Sequence, residues 1–170
     1  MANDGKFLNL TGGVPTQEVA VGTSAGAGDA NKIPKLDAAG KLDITMMPTG
    51  AGPDATTITT SEALSAGDFV NLHNSTGIKA RKADATTSGK EAHGYVLSAV
   101  GSGASATVYF DGVNTAVTGR TVGARQFLGT TAGLPVETAP SATGNMAQIL
   151  GVALSATSIL FRANDPILVA

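Results

Sequence analysis

The chain has 170 residues, enough for one domain or for one domain and an arm, and only 14% of them are charged and 4% aromatic, where an ordinary soluble domain carries about 25% charged residues. A net charge of −2 with no basic stripe argues against a nucleic-acid partner. The absence of cysteine removes a disulfide framework, a thiolate metal site and a cysteine nucleophile. Glycine (22 residues), alanine, threonine and serine fill the gap. Such side chains bury little apolar area each, at roughly 0.8 kcal/mol per buried methylene, so a monomer would be poorly supplied with core and the composition points to an oligomer or to attachment on a larger surface.

In chain order, Met1 to Lys6 lacks the apolar core of a signal peptide, and no run approaches the length of a membrane span. Residues 1–53 hold Pro15, Pro34, Pro48 and Pro53, and their apolar residues are scattered: Phe7, Leu8, Leu10, Val14, Val19 and Val21. The tract Val21 to Gly28 has almost nothing to bury and reads as a linker. Asp37 to Gly40 reads as a turn between two short extended pieces, with Gly40 supplying a positive φ, and Met46-Met47-Pro48 closes the segment. This stretch is expected to be an extended arm that either stays disordered or orders against neighbouring subunits or another surface. Isolated apolar residues on an extended chain can dock into grooves but cannot form a core.

From residue 54 a continuous β signal begins. Thr56 to Thr60 is rich in β-branched residues. Ser61 to Asp68 reads as a strand and a turn, Phe69 to Leu72 as a short strand, and Asn74 to Gly77 as a hairpin turn. Ile78 to Ala83 alternates apolar or small residues with charged ones, as a half-buried strand does. Tyr95–Val100, Ala106–Phe110, Val113–Thr118, Phe127–Leu128, Leu134–Glu137, Met146–Leu154, Ser158–Phe161 and Ile167–Val169 continue the pattern. Turn signals every eight to twelve residues suit a sandwich or barrel, and helical periodicity is missing.

Within this region Gly94-Tyr95-Val96-Leu97-Ser98-Ala99 returns, 57 positions later, as Gly151-Val152-Ala153-Leu154-Ser155-Ala156. The flanking signals return in the same order: Gly67 and Phe69, then Gly123 and Phe127; Gly77-Ile78, then Gly133-Leu134; Val108-Tyr109-Phe110, then Ile159-Leu160-Phe161. The sequence therefore predicts an all-β barrel or sandwich built on a duplicated unit, about 65–112 and 121–165, and preceded by the extended N-terminal arm.

Residues that could carry chemistry are sparse. His73 and His93 have no local carboxylate partner at metal-ligand spacing, and read as satisfied or exposed histidines. No Gly-x-Ser-x-Gly elbow is present, and the glycine pairs at 26–28 and 101–103 lack a phosphate-loop lysine. Asp84, Asp111 and Asp165 read as turn residues, and Lys79, Arg81 and Lys82 as a solvated strand face. No catalytic, cofactor-binding or metal-binding residue is assigned, and no cofactor is expected.

The stretch Lys32-Ile33-Pro34-Lys35-Leu36-Asp37-Ala38-Ala39-Gly40-Lys41-Leu42-Asp43-Ile44-Thr45-Met46-Met47-Pro48 resembles a segment of tailed-bacteriophage fibre and head-fibre proteins. Gly67-Asp68-Phe69-Val70, Gly94-Tyr95-Val96, Phe127-Leu128-Gly129, Gly144 to Ala153 and Ile159-Leu160-Phe161 are similar to phage capsid decoration (cement) and head-fibre proteins. The resemblance implies a β-tulip or jelly-roll-like barrel or sandwich domain in a non-enzymatic virion protein, a homotrimer made in the host cytoplasm and placed on the outer capsid surface. Its partner would be the major capsid protein, with no nucleic acid or membrane involved. Residues 1–53 would be the capsid-binding arm, with Phe7, Leu8, Leu10, Val14, Ile33, Leu36, Leu42, Met46 and Met47 as anchors, and 54–170 the β domain. Phe69, Tyr95, Leu97, Tyr109, Phe110, Phe127, Leu154, Leu160 and Phe161 would be core or trimer-axis residues. The rival reading is a head-fibre, tail-fibre or adhesin module that binds a host receptor or glycan, for which two tyrosines and no tryptophan are a thin supply.

Overall fold

Glycine at turn positions and alternation between them cut this chain into short antiparallel strands. The structure, a computed structural model, describes residues 5–47 and 52–170, without the side chains of Thr11 and Ile44. Pro48, which the sequence reading used to close the first segment, lies outside the described residues. The protein is all-β, its ladders are antiparallel, and the chain divides into two units, Met1–Gly52 and Pro53–Ala170. Among the described residues no helix is long and apolar enough to cross a membrane.

The first unit corrects the expectation of an extended arm over its opening residues. β1 (Lys6–Thr11) and β2 (Val14–Val19) form a hairpin. Gly12 and Gly13 sit at its tip with φ of 62° and 83°, the two positive values that a tight two-residue hairpin turn demands. The tract expected to be a linker is also tied: Val21 donates to the Ile33 carbonyl at 2.9 Å and accepts from Lys35 N–H at 2.8 Å, and Ala27–Asp29 makes a 3-10 turn. The turn over Asp37 to Gly40 is present. Gly40 N–H donates to the Asp37 carbonyl at 3.0 Å, and the Asp37 carboxylate accepts from Ala39 and Lys41 N–H.

The second unit holds two five-stranded sheets. Sheet I contains β3 (Ala55–Thr59), β4 (Phe69–Asn74), β5 (Ile78–Lys82), β6 (Gly94–Tyr95) and β7 (Ser105–Tyr109), in the order β3-β7-β6-β4-β5. Next in sequence come β8 (Gly112–Asn114), β9 (Arg125–Leu128), β10 (Pro135–Val136), β11 (Met146–Ala147), β12 (Ile149–Ser155), β13 (Ser158–Phe161) and β14 (Ile167–Leu168). Sheet II has the order β10-β9-β12-β13-β8, and β11 pairs separately with β14. Residues 61–68 are turn and isolated bridge rather than strand, with Leu64 bridged to Val100.

The two sheets have one plan. Read from β5, sheet I runs β5-β4-β6-β7-β3, and sheet II runs β10-β9-β12-β13-β8, which is the same order of successive strands in each half. The cross-strand row Phe69–Tyr95–Tyr109–Ala55 in sheet I has Arg125–Val152–Leu160–Val113 as its counterpart in sheet II. Bonds outside the strands repeat as well: Gly67 N–H to the Val96 carbonyl and Gly123 N–H to the Ala153 carbonyl are both 2.8 Å. The repeat seen in the backbone spans 55–109 and 112–161. It starts one strand earlier than the sequence similarity, because β3 and β8 share position but little sequence.

The repeated glycine of the motif has a steric cause. A Cβ on Gly94 would lie 2.6 Å from the Tyr109 carbonyl oxygen, and one on Gly151 would collide with the Leu160 carbonyl oxygen, the counterpart group. Only a residue without Cβ lets the neighbouring strand come this close.

Each sheet has two faces with different fates. Residues 69, 95 and 109 of sheet I face sheet II, where Leu128, Leu150, Ile159 and Phe161 complete a buried cluster. Ring centroids of Phe69 and Tyr95 each lie 5.5 Å from that of Phe161, within the range in which aromatic pairs add about 0.5–1.5 kcal/mol beyond area burial. The other face of sheet I curls round a second cluster, Ile58, Leu64, Val70, Ala80, Val96, Ala106 and Val108. Its edges meet at one isolated bridge, Thr60 to Ala80, without a closing ladder.

Buried amides stitch the halves together. Gln148 accepts Ala92 N–H at 2.7 Å and donates to the Ala92 and Asn164 carbonyls at 3.0 and 3.1 Å. Asn114 donates to the Gly67 carbonyl at 2.9 Å. Among the described residues no buried side-chain nitrogen or oxygen lacks a partner, which removes the desolvation cost such groups would otherwise carry.

Candidate interaction surface

In the hairpin, the register places Lys6 with Val19, Leu8 with Gln17 and Leu10 with Pro15 on one face. Leu8 and Leu10 are 75% and 69% exposed, and Val19 joins them in the open. Val14 is exposed on the opposite face, and Ile33, Leu36, Leu42 and Met47 are exposed along the rest of the unit. Phe7 and Met46 are half-buried, Met46 at a small cleft with Val21, Asp29, Lys32 and Pro34. Ala20 is the one buried hydrophobic residue among those described in this unit. The anchors thus occupy separate faces and loops. Val19 and Pro15 were missed as members of the surface; the Gly12-Gly13 turn carries the register that places them beside Leu8 and Leu10.

Local polar bonds fix the loops between these residues. The Lys32 ammonium 2.8 Å from Asp29, helped by Ala25 N–H, holds the Asp29 carboxyl below its ordinary range. The Thr45 hydroxyl and then its N–H do the same for Asp43.

In the second unit the nine residues expected at a core or trimer axis separate into groups. Phe69, Tyr95 and Phe161 are core, with Leu97 and Tyr109 packed against them, and Phe110 packs against the second cluster. Phe127 and Leu160 are half-buried and Leu154 is exposed. The last three share a surface, because alternation along β8, β9, β12 and β13 puts Val113, Phe127, Val152, Leu154 and Leu160 on the face of sheet II turned away from sheet I.

The chemically versatile residues are committed to local structure. The His73 Nε2 lies 2.9 Å from the Ser61 hydroxyl, and burial, then Arg81, keep this imidazole below its ordinary pKa. The nearby Glu62 carboxylate accepts Lys82 N–H. His93 accepts Leu72 N–H at 2.9 Å through Nδ1 and faces Glu91 at 3.5 Å through Nε2. Burial would raise the Asp84 carboxyl, but Thr86 Oγ1–H, Lys90 and Thr86 N–H outweigh it and hold the group low. The Lys79, Arg81 and Lys82 strand is less solvated than expected. Arg81 bonds Asn71 Oδ1 and the Gly89 carbonyl, and Lys82 pairs with buried Asp68 at 3.2 Å. Among the described residues no three His, Cys, Asp or Glu side chains gather as a metal site. A cleft of about 370 Å³ is lined by Glu91, His93, Phe110, Gln148, Asn164 and Asp165 among others.

No family model and no curated protein matches this chain.

Proposed function

We infer that this protein is a structural component of a virion, which binds the outer surface of a phage capsid as an oligomer and stabilises it through contacts with the major capsid protein. The observation that carries this reading is the first unit: a hairpin and loops that expose Leu8, Leu10, Val14, Ile33, Leu36 and Leu42, with Ala20 as their sole buried apolar residue among those described. A surface of that kind gains stability by covering its apolar side chains, at about 25 cal/mol per Å² removed from water. Many such weak contacts, multiplied by the valency of an oligomer, would clamp neighbouring capsomers against outward pressure. The glycan-binding alternative wants exposed aromatics lining a groove, whereas Tyr95 is buried and Tyr109 half-buried.

The test is co-sedimentation of the full chain with expanded and unexpanded phage heads, against a Leu8→Glu/Leu10→Glu variant and a chain lacking residues 1–50. Saturable binding to expanded heads that drops at least tenfold in both variants is the expected result. Wild-type affinity in the shortened chain would remove the role given to the arm.

A further inference from the structure

The two halves of the second unit pack head to tail. The row Phe69–Tyr95–Tyr109 of sheet I lies on Leu128, Leu150 and Phe161 of sheet II. The duplication gives each of these surfaces a counterpart. The counterpart row, Arg125–Val152–Leu160–Val113, lies on the outward face of sheet II, where Val152 is 41% and the adjoining Leu154 51% exposed. The counterparts of Leu128, Leu150 and Phe161, which are all buried, are Leu72, His93 and Phe110 of the first half. Leu72 and Phe110 are only half-buried and His93 is exposed. Both halves of a second such contact therefore exist on one chain, and within that chain they do not meet: the first is open to solvent, and the second is open in part, its Leu72 and Phe110 also packing against the second cluster.

We propose that the outward face of sheet II, through Arg125, Val152, Leu154 and Leu160, docks on Leu72, His93 and Phe110 of a second copy of this chain, repeating between chains the packing made inside each one. Charge favours this occupant. Arg125 is the counterpart of Phe69, whose ring lies 5.5 Å from Phe161, so the same packing brings Arg125 to Phe110 of the neighbour. Phe110 lines the 370 Å³ cleft together with Glu91 and Asp165. A guanidinium there stacks on an aromatic face between two carboxylates, a seat that suits arginine better than any other side chain. A head-to-tail contact is heterologous, and it yields a closed ring when the rotation between copies divides a full turn. The interface rests on the duplication and on charge and needs no capsid: an oligomer held by another face would overturn it and leave the virion reading untouched, whereas a monomeric wild type would also remove the oligomer from that reading.

Sedimentation velocity and light scattering of the full chain test it. Wild-type protein should form a discrete oligomer, and Val152→Glu/Leu154→Glu and Leu72→Glu should each run as monomers with unchanged far-ultraviolet dichroism. His93→Glu replaces Leu72→Glu if the latter does not fold. Mixing the two kinds of variant should give 1:1 dimers, since each retains the surface the other has lost. Arg125→Glu should weaken assembly at least tenfold, and mixing Arg125→Glu with Glu91→Arg chains should restore contacts between them. A monomeric wild type, an oligomer indifferent to Val152→Glu/Leu154→Glu, or a mixture that stays monomeric would each overturn the proposal. Failure of the charge exchange would overturn the seat given to Arg125.

Discussion

Sheets I and II share a strand order and pairing scheme, yet their equivalent faces live in different surroundings. Tyr95 is 2% exposed in the cluster between the two sheets, and its counterpart Val152 stands at the surface of sheet II. Backbone plan and side-chain chemistry are therefore separable in this protein. The glycines that set the plan recur in both halves, as at 67 and 123, 77 and 133, and 89 and 144, all with positive φ. The side chains between them differ according to what each face meets.

The sharpest way to break the comparison is to truncate the same position twice. Tyr95→Ala should cost about 3–5 kcal/mol in urea unfolding, as loss of a large buried aromatic does. Val152→Ala, followed in dissociated chains at low concentration, should stay within about 0.5–1 kcal/mol. Similar losses at the two positions would mean that both are packed alike, against the difference in burial described above. The shared plan is probed next by Gly94→Ala and Gly151→Ala. Each should cost about 1–3 kcal/mol by overpacking against a neighbouring carbonyl, with Gly151 the worse because its φ of 144° is also unsuited to alanine. The smallest effect is expected in a loop that differs between the halves. Asp84 is held below its ordinary pKa against its own burial, so its bonds to Thr86 and Lys90 stabilise the fold above the unfolded value of about 3.9. That stability is lost as pH falls through the lower folded value. Asp84→Asn should therefore be less stable than wild type near neutrality, and the gap should close in acid unfolding curves.

The repeat was legible in the sequence because steric demands on glycine leave letters behind: Gly94 and Gly151 meet equivalent carbonyls, and no other residue fits. β3 and β8 were not recognised as partners, since Ala55–Thr59 and Gly112–Asn114 need only to be extended, and many sequences satisfy that. The β1–β2 hairpin was missed although Gly12-Gly13 is a turn signal. Its strands carry apolar residues on both faces, so the alternation that marks a half-buried strand is absent. The separation of Phe127, Leu154 and Leu160 from the core was equally hidden. Composition says that they are apolar, and only the register says that they point away from sheet I.

The Gln148 side chain has a consequence for motion. Ala92 belongs to no strand, yet its N–H is bonded to Gln148 Oε1 at 2.7 Å across 56 positions of sequence. Its proton should exchange with deuterated solvent as slowly as those of the central strands, because release requires the two halves to part rather than one loop to fray. In the Gln148→Ala variant the same proton should exchange on the timescale of a surface loop. The Ala92 amide therefore reports, in a single resonance, how often the two halves come apart.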